Sequence, residues 1–451
     1  MTCIYGLAMV DADVERLSTL LASLPALRSI RGTDAVSGLT LRPPPSAAVA
    51  AAQDFLARAA RTIGRCSCLQ DLDLDIKLAN ELADCVSATF WQYLAKARAL
   101  EDLVLTIRSG AADLHDGLAA TNVSNLITGL AGLSRLRSLT VTLDIAREGA
   151  TLPACVSRLA QLTFLSLCGL SGLCCAPGWA RLPALECLTF GQCEFACDGE
   201  EALPGMDTLA SLTSLELWGC PGLNVLPTSL WRLPQLRSLV HWSPADEAPH
   251  NELPVASLPA SAPCFAFLNS LILSSNLPTW PACVLAMTHL LTLDLTGSCF
   301  EQLPEGVSAL TALTHLCLGR RSAYWEVGGK LDARALGNLA CFPNLHRVGF
   351  EHSSVLFCPS FQTAAAHPCL KELVLVRSYP ACGPSCQAFL VYVIALLQQG
   401  RADVLRGLGS IVQGAGQQDS QSFRGALQAV GFALHDDDSD SASASADDED
   451  D

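Results

Sequence analysis

Three close cysteine pairs come nearest to metal chemistry in this chain: Cys66-x-Cys68, Cys193-x3-Cys197 and Cys382-x3-Cys386. Zinc sites use Cys-x2-Cys pairs with a second pair at finger-like spacing downstream. None of the three fits, so no metal and no other cofactor is expected. The 21 cysteines are odd in number and irregularly spaced, unlike a disulfide framework. They are expected to be reduced, metal-free thiols that act as small, easily buried hydrophobic groups. Ser, His and Asp are present, but no nucleophile elbow, paired-carboxylate motif or metal-protease motif brings them together. No Gly-x4-Gly-Lys-Ser/Thr loop occurs either, since Gly328-Gly329-Lys330 is followed by Leu331. The chain is therefore expected not to be an enzyme. The residues left to act are aromatic and acidic side chains suited to recognition, and their placement depends on a repeat.

That repeat is plain in the leucines. Leu159-x2-Leu162-x2-Leu165-x-Leu167 recurs as Leu182-x2-Leu185-x2-Leu188-x-Phe190 and as Leu209-x2-Leu212-x2-Leu215-x-Leu217. Further copies centre on Leu239, Leu271, Leu293 and Leu316. Leu-x-Leu reads as a short strand with both leucines inward and the middle residue outward. The preceding Leu-x2-Leu lines the returning segment with apolar side chains. Asn276, Cys193 and Cys220, three residues after their strands, are placed to satisfy backbone groups as the chain turns away. One such unit cannot bury its apolar face alone, whereas stacked neighbours can. Looser, longer copies centre on Leu39, Leu72, Leu103 and Leu139 upstream, with 50–63 reading as a helix, and on Val348 and Leu373 downstream. The array thus comprises about thirteen units.

This pattern resembles the leucine-rich repeat. Leu-Pro steps at Leu152-Pro153, Leu203-Pro204, Leu226-Pro227 and Leu303-Pro304 are similar to those of intracellular scaffold proteins of Ras signalling and of plant disease-resistance proteins, here without the nucleotide-binding module. The resemblance covers about 340 residues. It implies an α/β fold, a curved leucine-rich-repeat solenoid with a parallel inner sheet, an irregular or helical outer face and helical caps. The expected organisation is an N-terminal helical cap (1–34), the solenoid (35–380), a C-terminal helical cap (381–434) and a disordered acidic tail (435–451).

Strand alternation then places the candidate site on the concave face. Asp71, Asp73, Asp75 and Asp102 form an acidic patch there, and the middle repeats present Phe164, Glu216, Trp218 and Trp242. Trp218 and Trp242 each follow their central leucine by three residues, which puts them side by side on neighbouring strands. His241 occupies the second leucine slot of its repeat, leaving open whether Trp242 faces outward. An insertion carrying Arg320, Arg321, Tyr324 and Trp325 is the second candidate contact, because exposed aromatics with arginines are the composition of binding hot spots. Ser445, ahead of Asp447, Asp448 and Glu449, is a candidate phosphorylation site of acidophilic kinases.

Composition excludes some partners. The formal net charge is −16, of which nine acidic residues lie between Asp436 and Asp451. No run of Lys and Arg could neutralise a row of phosphates, so nucleic acid is not expected. The longest apolar run, Ala388 to Leu397, falls short of the about 20 residues a helical membrane span needs. Met1 to Val10 lacks a basic flank and meets Asp11, Asp13 and Glu15, unlike a secretory leader. A monomeric cytoplasmic protein, free or at the cytoskeleton, is expected. Its role is read as a scaffold or adaptor for a protein partner that is basic or mixed in charge, with apolar anchors. The alternative is a regulator of a small GTPase, because some GTPase-activating proteins of nuclear transport join such a solenoid to an acidic tail.

Overall fold

Leu165 and Leu167, Leu188 and Phe190, and Leu215 and Leu217 lie fully inside, on consecutive parallel strands that pair Leu188 with Leu165 and Leu215, and Phe190 with Leu167 and Leu217. The computed structural model describes residues 2–5, 7–10, 14–32, 38–43, 48–78, 86–109, 120–143, 150–197, 199–223, 226–242, 267–274, 277, 280–298, 303–319, 329–332, 342–351, 353–356, 367, 369–376, 379–380, 391–396, 398–401 and 405–406. They fall into two units, Met1–Ser243 and Pro244–Asp451, and each is a leucine-rich-repeat stack.

The first unit runs β1 (Thr2–Tyr5), β2 (Leu7–Val10), α1 (Val14–Ser23), β3 (Leu27–Arg31), β4 (Leu39–Arg42), α2 (Val49–Ile63), β5 (Asp71–Leu78), α3 (Ala88–Leu94), β6 (Asp102–Ser109), α4 (Ala120–Leu130) and β7 (Ser138–Leu143). It continues through β8 (Thr151–Leu152), β9 (Phe164–Cys168), β10 (Cys174–Cys175), β11 (Cys187–Gly191), β12 (Ser214–Trp218) and β13 (Ser238–Trp242). From β5 the ladder proceeds β5–β6–β7–β9–β11–β12–β13, all parallel and in unbroken register. At its start β5 is flanked by two pieces: β3 pairs with Asp71 and Leu72, and β4 with Leu74, Asp75 and Ile76. β1 and β2 pair in turn with β3 and β4. The stretch expected as the N-terminal helical cap, 1–34, contains helix α1 together with β1, β2 and β3 of the sheet. A short second ladder joins β8 and β10.

The returning segments change character along this unit. In α2 the buried residues Ala52, Phe55, Leu56, Ala59, Ala60 and Ile63 recur at three- and four-residue spacing, one apolar helical stripe turned inward. In α3, Phe90, Trp91 and Leu94 do the same. Beyond β7 the return shortens to single 3-10 turns such as Ala154–Arg158 and Thr228–Arg232. Each follows a proline, Pro153 or Pro227, whose ring fixes φ near its observed −77° or −62°. The Leu-Pro step is thus the entry to a 3-10 turn, with the leucine buried on the core side. Pro281 and Pro304 open the same turns in the second unit. Trp179, Phe190 and Phe195 fill the core with edge-to-face contacts at 6.2 and 5.5 Å.

The second unit comprises β14 (Ser270–Ser274), β15 (Thr292–Asp294), β16 (His315–Gly319), β17 (Gly329–Asp332), β18 (Arg347–Glu351), β19 (Ser353–Leu356), β20 (Glu372–Val376), β21 (Tyr379–Pro380) and β22 (Leu405–Arg406). Its main ladder is β14–β15–β16–β18–β20–β22, with β17–β19–β21 as a second, smaller one. Within the expected C-terminal cap, 391–396 is helical and β22 adds a short parallel strand. No described helix is long and apolar enough to cross a membrane. The acidic tail with Ser445, and the insertion with Arg320, Arg321, Tyr324 and Trp325, lie outside the described residues.

Cysteine serves the turns. The Cys193 thiol donates to the Leu167 and Gly191 carbonyls, both at 3.3 Å. Cys220 donates to Phe190 at 3.3 Å and to Trp218 at 3.5 Å. These carbonyls end the strands, so each thiol satisfies backbone acceptors as the chain leaves the sheet. Burial pushes the Cys193 thiol well above its ordinary range and Cys220 up to about 12. All described cysteines that carry a thiol are free, and among the described residues no three His, Cys, Asp or Glu side chains could hold a metal ion. Alkylation with iodoacetamide near pH 8 should therefore modify exposed Cys68 early and leave Cys193 and Cys220 intact until urea is added. Early modification of Cys220, read by peptide mass spectrometry, would contradict this placement.

Candidate functional site

The register aligns the outward side chains of the first unit into columns across the sheet face opposite the core. One column passes through Asp71, Asp102, Ser138, Phe164, Cys187, Ser214 and Ser238. The next holds Asp73, Val104, Thr140, Ser166, Thr189, Glu216 and Val240, and the third Asp75, Thr106, Thr142, Cys168, Gly191, Trp218 and Trp242. The expected contacts thus fall into two groups on one face. The aspartates lie at the β5–β6 end, and the aromatics with Glu216 lie from β9 to β13.

The aspartate group differs from the expected free acidic patch. Asp75 is 0% exposed, and its carboxylate lies 3.6 Å from Lys77 Nζ and 3.8 Å from Arg108 Nε. Asp71 pairs with Arg31 at 3.1 Å. Asp73 accepts the Gly38 amide at 2.9 Å, where a side chain at position 38 would collide with the Arg31 and Asp73 backbones. Asp75 is therefore a buried, ion-paired group and offers no carboxylate to a partner, a correction to the sequence expectation. The physical reason is alternation itself. Lys77 and Arg108 sit one same-face step beyond Asp75 and are paired across β5 and β6, so two cations converge on one carboxylate. Asp102 is partly buried, and its Oδ1 accepts no hydrogen bond among the described residues.

The aromatic group lies as its spacing demands. Trp218 and Trp242 are direct register partners, and both are partly exposed. His241 does not displace its strand. It pairs with Leu217, is 2% exposed, and takes the inward slot that leucine fills elsewhere. Burial depresses its pKa to about 4, while a hydrogen bond with the Leu223 backbone pulls weakly the other way. The ring is therefore neutral at pH 7, which is what an apolar core requires. Phe164, Glu216 and the two indoles all remain on the open face at intermediate exposure.

Two residues that the sequence reading passed over shape this end. A Cβ at Gly191 would sit 2.3 Å from Cζ2 and 2.8 Å from Nε1 of Trp218, so the indole lies across Gly191 of the neighbouring strand. Thr189 Oγ1 donates to Glu216 Oε2 at 3.4 Å, drawing the carboxylate toward the same strand. The available signal was Gly191 itself, a residue without a side chain at the position where adjacent repeats carry Cys168, Trp218 and Trp242.

No protein-family model matches this chain, nor does any curated protein sequence. Among solved structures it is similar to a leucine-rich-repeat protein of Leptospira interrogans, LIC12759, at 14% identity over 81% of this chain and 90% of that one, TM-score 0.48. It is similar also to an internalin, inlF, from Listeria monocytogenes at 13% identity, covering 80% of this chain and 77% of that one, TM-score 0.41. A third is the leucine-rich-repeat ectodomain of the receptor kinase GASSHO1/SCHENGEN3 from Arabidopsis thaliana, at 13% identity over 84% and 54%, TM-score 0.37.

Proposed function

We propose that this chain is a protein-interaction module whose partner docks on the open face of the first unit, across β9 to β13. One observation carries the reading: Trp218 and Trp242 stand in direct register, partly exposed, on strands whose leucines are locked in the core. Large indoles on a rigid support lose little entropy on binding and are the usual anchors of protein contacts. The partner is basic or mixed in charge with apolar groups of its own. It meets Glu216 beside the indoles and Phe164 two columns from them. Because Asp71 and Asp75 are already paired with cations, long-range steering of that partner is weaker than four free aspartates would give. The module works without catalysis or cofactor, as a monomer, in a cytoplasm that keeps its thiols reduced. The Arg320, Arg321 and Trp325 segment is held as a second contact.

The double change Trp218→Ala with Trp242→Ala tests the reading against a partner recovered by affinity capture. Binding of that purified partner should weaken by at least about 2 kcal/mol in calorimetry, with the melting temperature kept. An unfolded double variant would make the rings structural. A folded one that binds like the parent would place the contact elsewhere.

A further inference from the structure

Between β7 and β13 the outward positions are Ser, Thr, Cys, Gly, Val or aromatic, and Glu216 is the single charged side chain among them. It does not stand alone. Its carboxylate leans over Thr189 and the Trp218 indole leans over Gly191. Thr189 and Gly191 are successive same-face positions of β11, about 6.5 Å apart at the strand rise. Carboxylate and ring edge therefore lie side by side above one strand, over a floor of small side chains at Ser166, Cys168 and Thr189.

Docking any partner here removes water from Glu216. The Thr189 hydroxyl, at 3.4 Å, is a long hydrogen bond and cannot replace that solvation. An apolar group would leave a desolvated anion, which is costly. An ammonium would neutralise the carboxylate but could not lie flat on the ring at the same time. A guanidinium does both: its planar face stacks on indole, and its paired N–H groups fork to a carboxylate. We infer that Glu216 and the Trp218 indole together hold one arginine side chain of the partner, stacked on the ring and forked to the carboxylate. This rests on the interaction face proposed above and names the chemistry that face selects.

The test uses the full chain labelled with 15N at the indoles, with the Trp218 signal identified by its loss in Trp218→Phe. The probes are the blocked pentapeptide Gly-Ala-Arg-Ala-Gly and its counterparts with lysine or citrulline in the middle. The arginine peptide should shift the Trp218 signal saturably, with lysine weaker and the neutral isostere citrulline at least ten-fold weaker. Glu216→Gln should reduce arginine to the citrulline level without changing the melting temperature. Equal binding of arginine and citrulline, lysine binding as tightly as arginine, or an arginine preference that survives Glu216→Gln would each overturn the inference. Failure here is separable from failure of the interaction face. If no peptide shifts Trp218 while the double tryptophan variant still loses the protein partner, the arginine assignment falls and the face stands. If the arginine peptide binds as described while that variant keeps the partner, the subsite stands and the docking reading falls.

Discussion

Leu293→Asp is expected to cost the Pro244–Asp451 unit about 4 kcal/mol or more, enough to unfold it in a thermal melt followed by circular dichroism. Leu293 is 0% exposed and pairs with Leu271 on one side and Leu316 on the other, both equally buried. A carboxylate there loses the leucine's packing and enters a position flanked on both sides by buried leucines. Leu293→Ala isolates the packing share, which falls in the usual range of about 2–5 kcal/mol. Thr292→Asp, on the open face one residue earlier, is the control and should change little. A Leu293→Asp protein that melted with its parent would mean that the two faces of this strand had been interchanged.

The second large effect is acid lability set by His241. The folded imidazole titrates at about 4, whereas an unfolded one titrates near the ordinary 6.5. Between these values the unfolded chain binds a proton that the folded chain refuses. Stability from this group is complete above about pH 6.5 and is lost as pH falls toward 4, by about 3 kcal/mol in all. His241→Leu restores the side chain that other repeats place in this slot, and it should flatten that part of the pH profile. Carboxylates also titrate in this range, so the decisive quantity is the difference between parent and variant in urea midpoint, measured from pH 7.5 to pH 4.5. Parallel profiles for the two proteins would rule out a buried neutral ring. At pH 7.5 leucine adds apolar packing but removes the ring's hydrogen bond with the Leu223 backbone, so the test reads the change in the difference with pH rather than the absolute stability at one pH.

Much of this was legible in the leucines, and the reasons for the exceptions are physical. The central strands, the Cys193 and Cys220 turns and the side-by-side tryptophans all follow from a period-two strand behind a fixed Leu-x2-Leu return. The first strands did not follow from it. β1 reads Thr-Cys-Ile-Tyr and carries no Leu-x-Leu, so nothing in it marks a repeat. The next strand is divided between Leu27–Arg31 and Leu39–Arg42, and only the second piece carries Leu-x-Leu. Asp75 was misread because alternation says which way a side chain leaves the strand, not what covers it. Lys77 and Arg108 cover it, and each is two positions along its own strand from the column that holds Asp75. The lean of Trp218 over Gly191 was invisible for a related reason. Spacing fixes where a ring starts, while the neighbouring strand decides where it comes to rest.

The crossing of that indole over Gly191 also ties the history of the two positions together. Any residue but glycine at 191 would put a carbon against the ring, so such a change is tolerated only after Trp218 has been lost or re-aimed. The reverse order is open, since a smaller residue at 218 leaves Gly191 unobstructed. Among descendants of this chain, side chains should appear at 191 only in lineages whose tryptophan has been lost or turned away, and the pair should be inherited as a unit wherever the indole still lies across that strand.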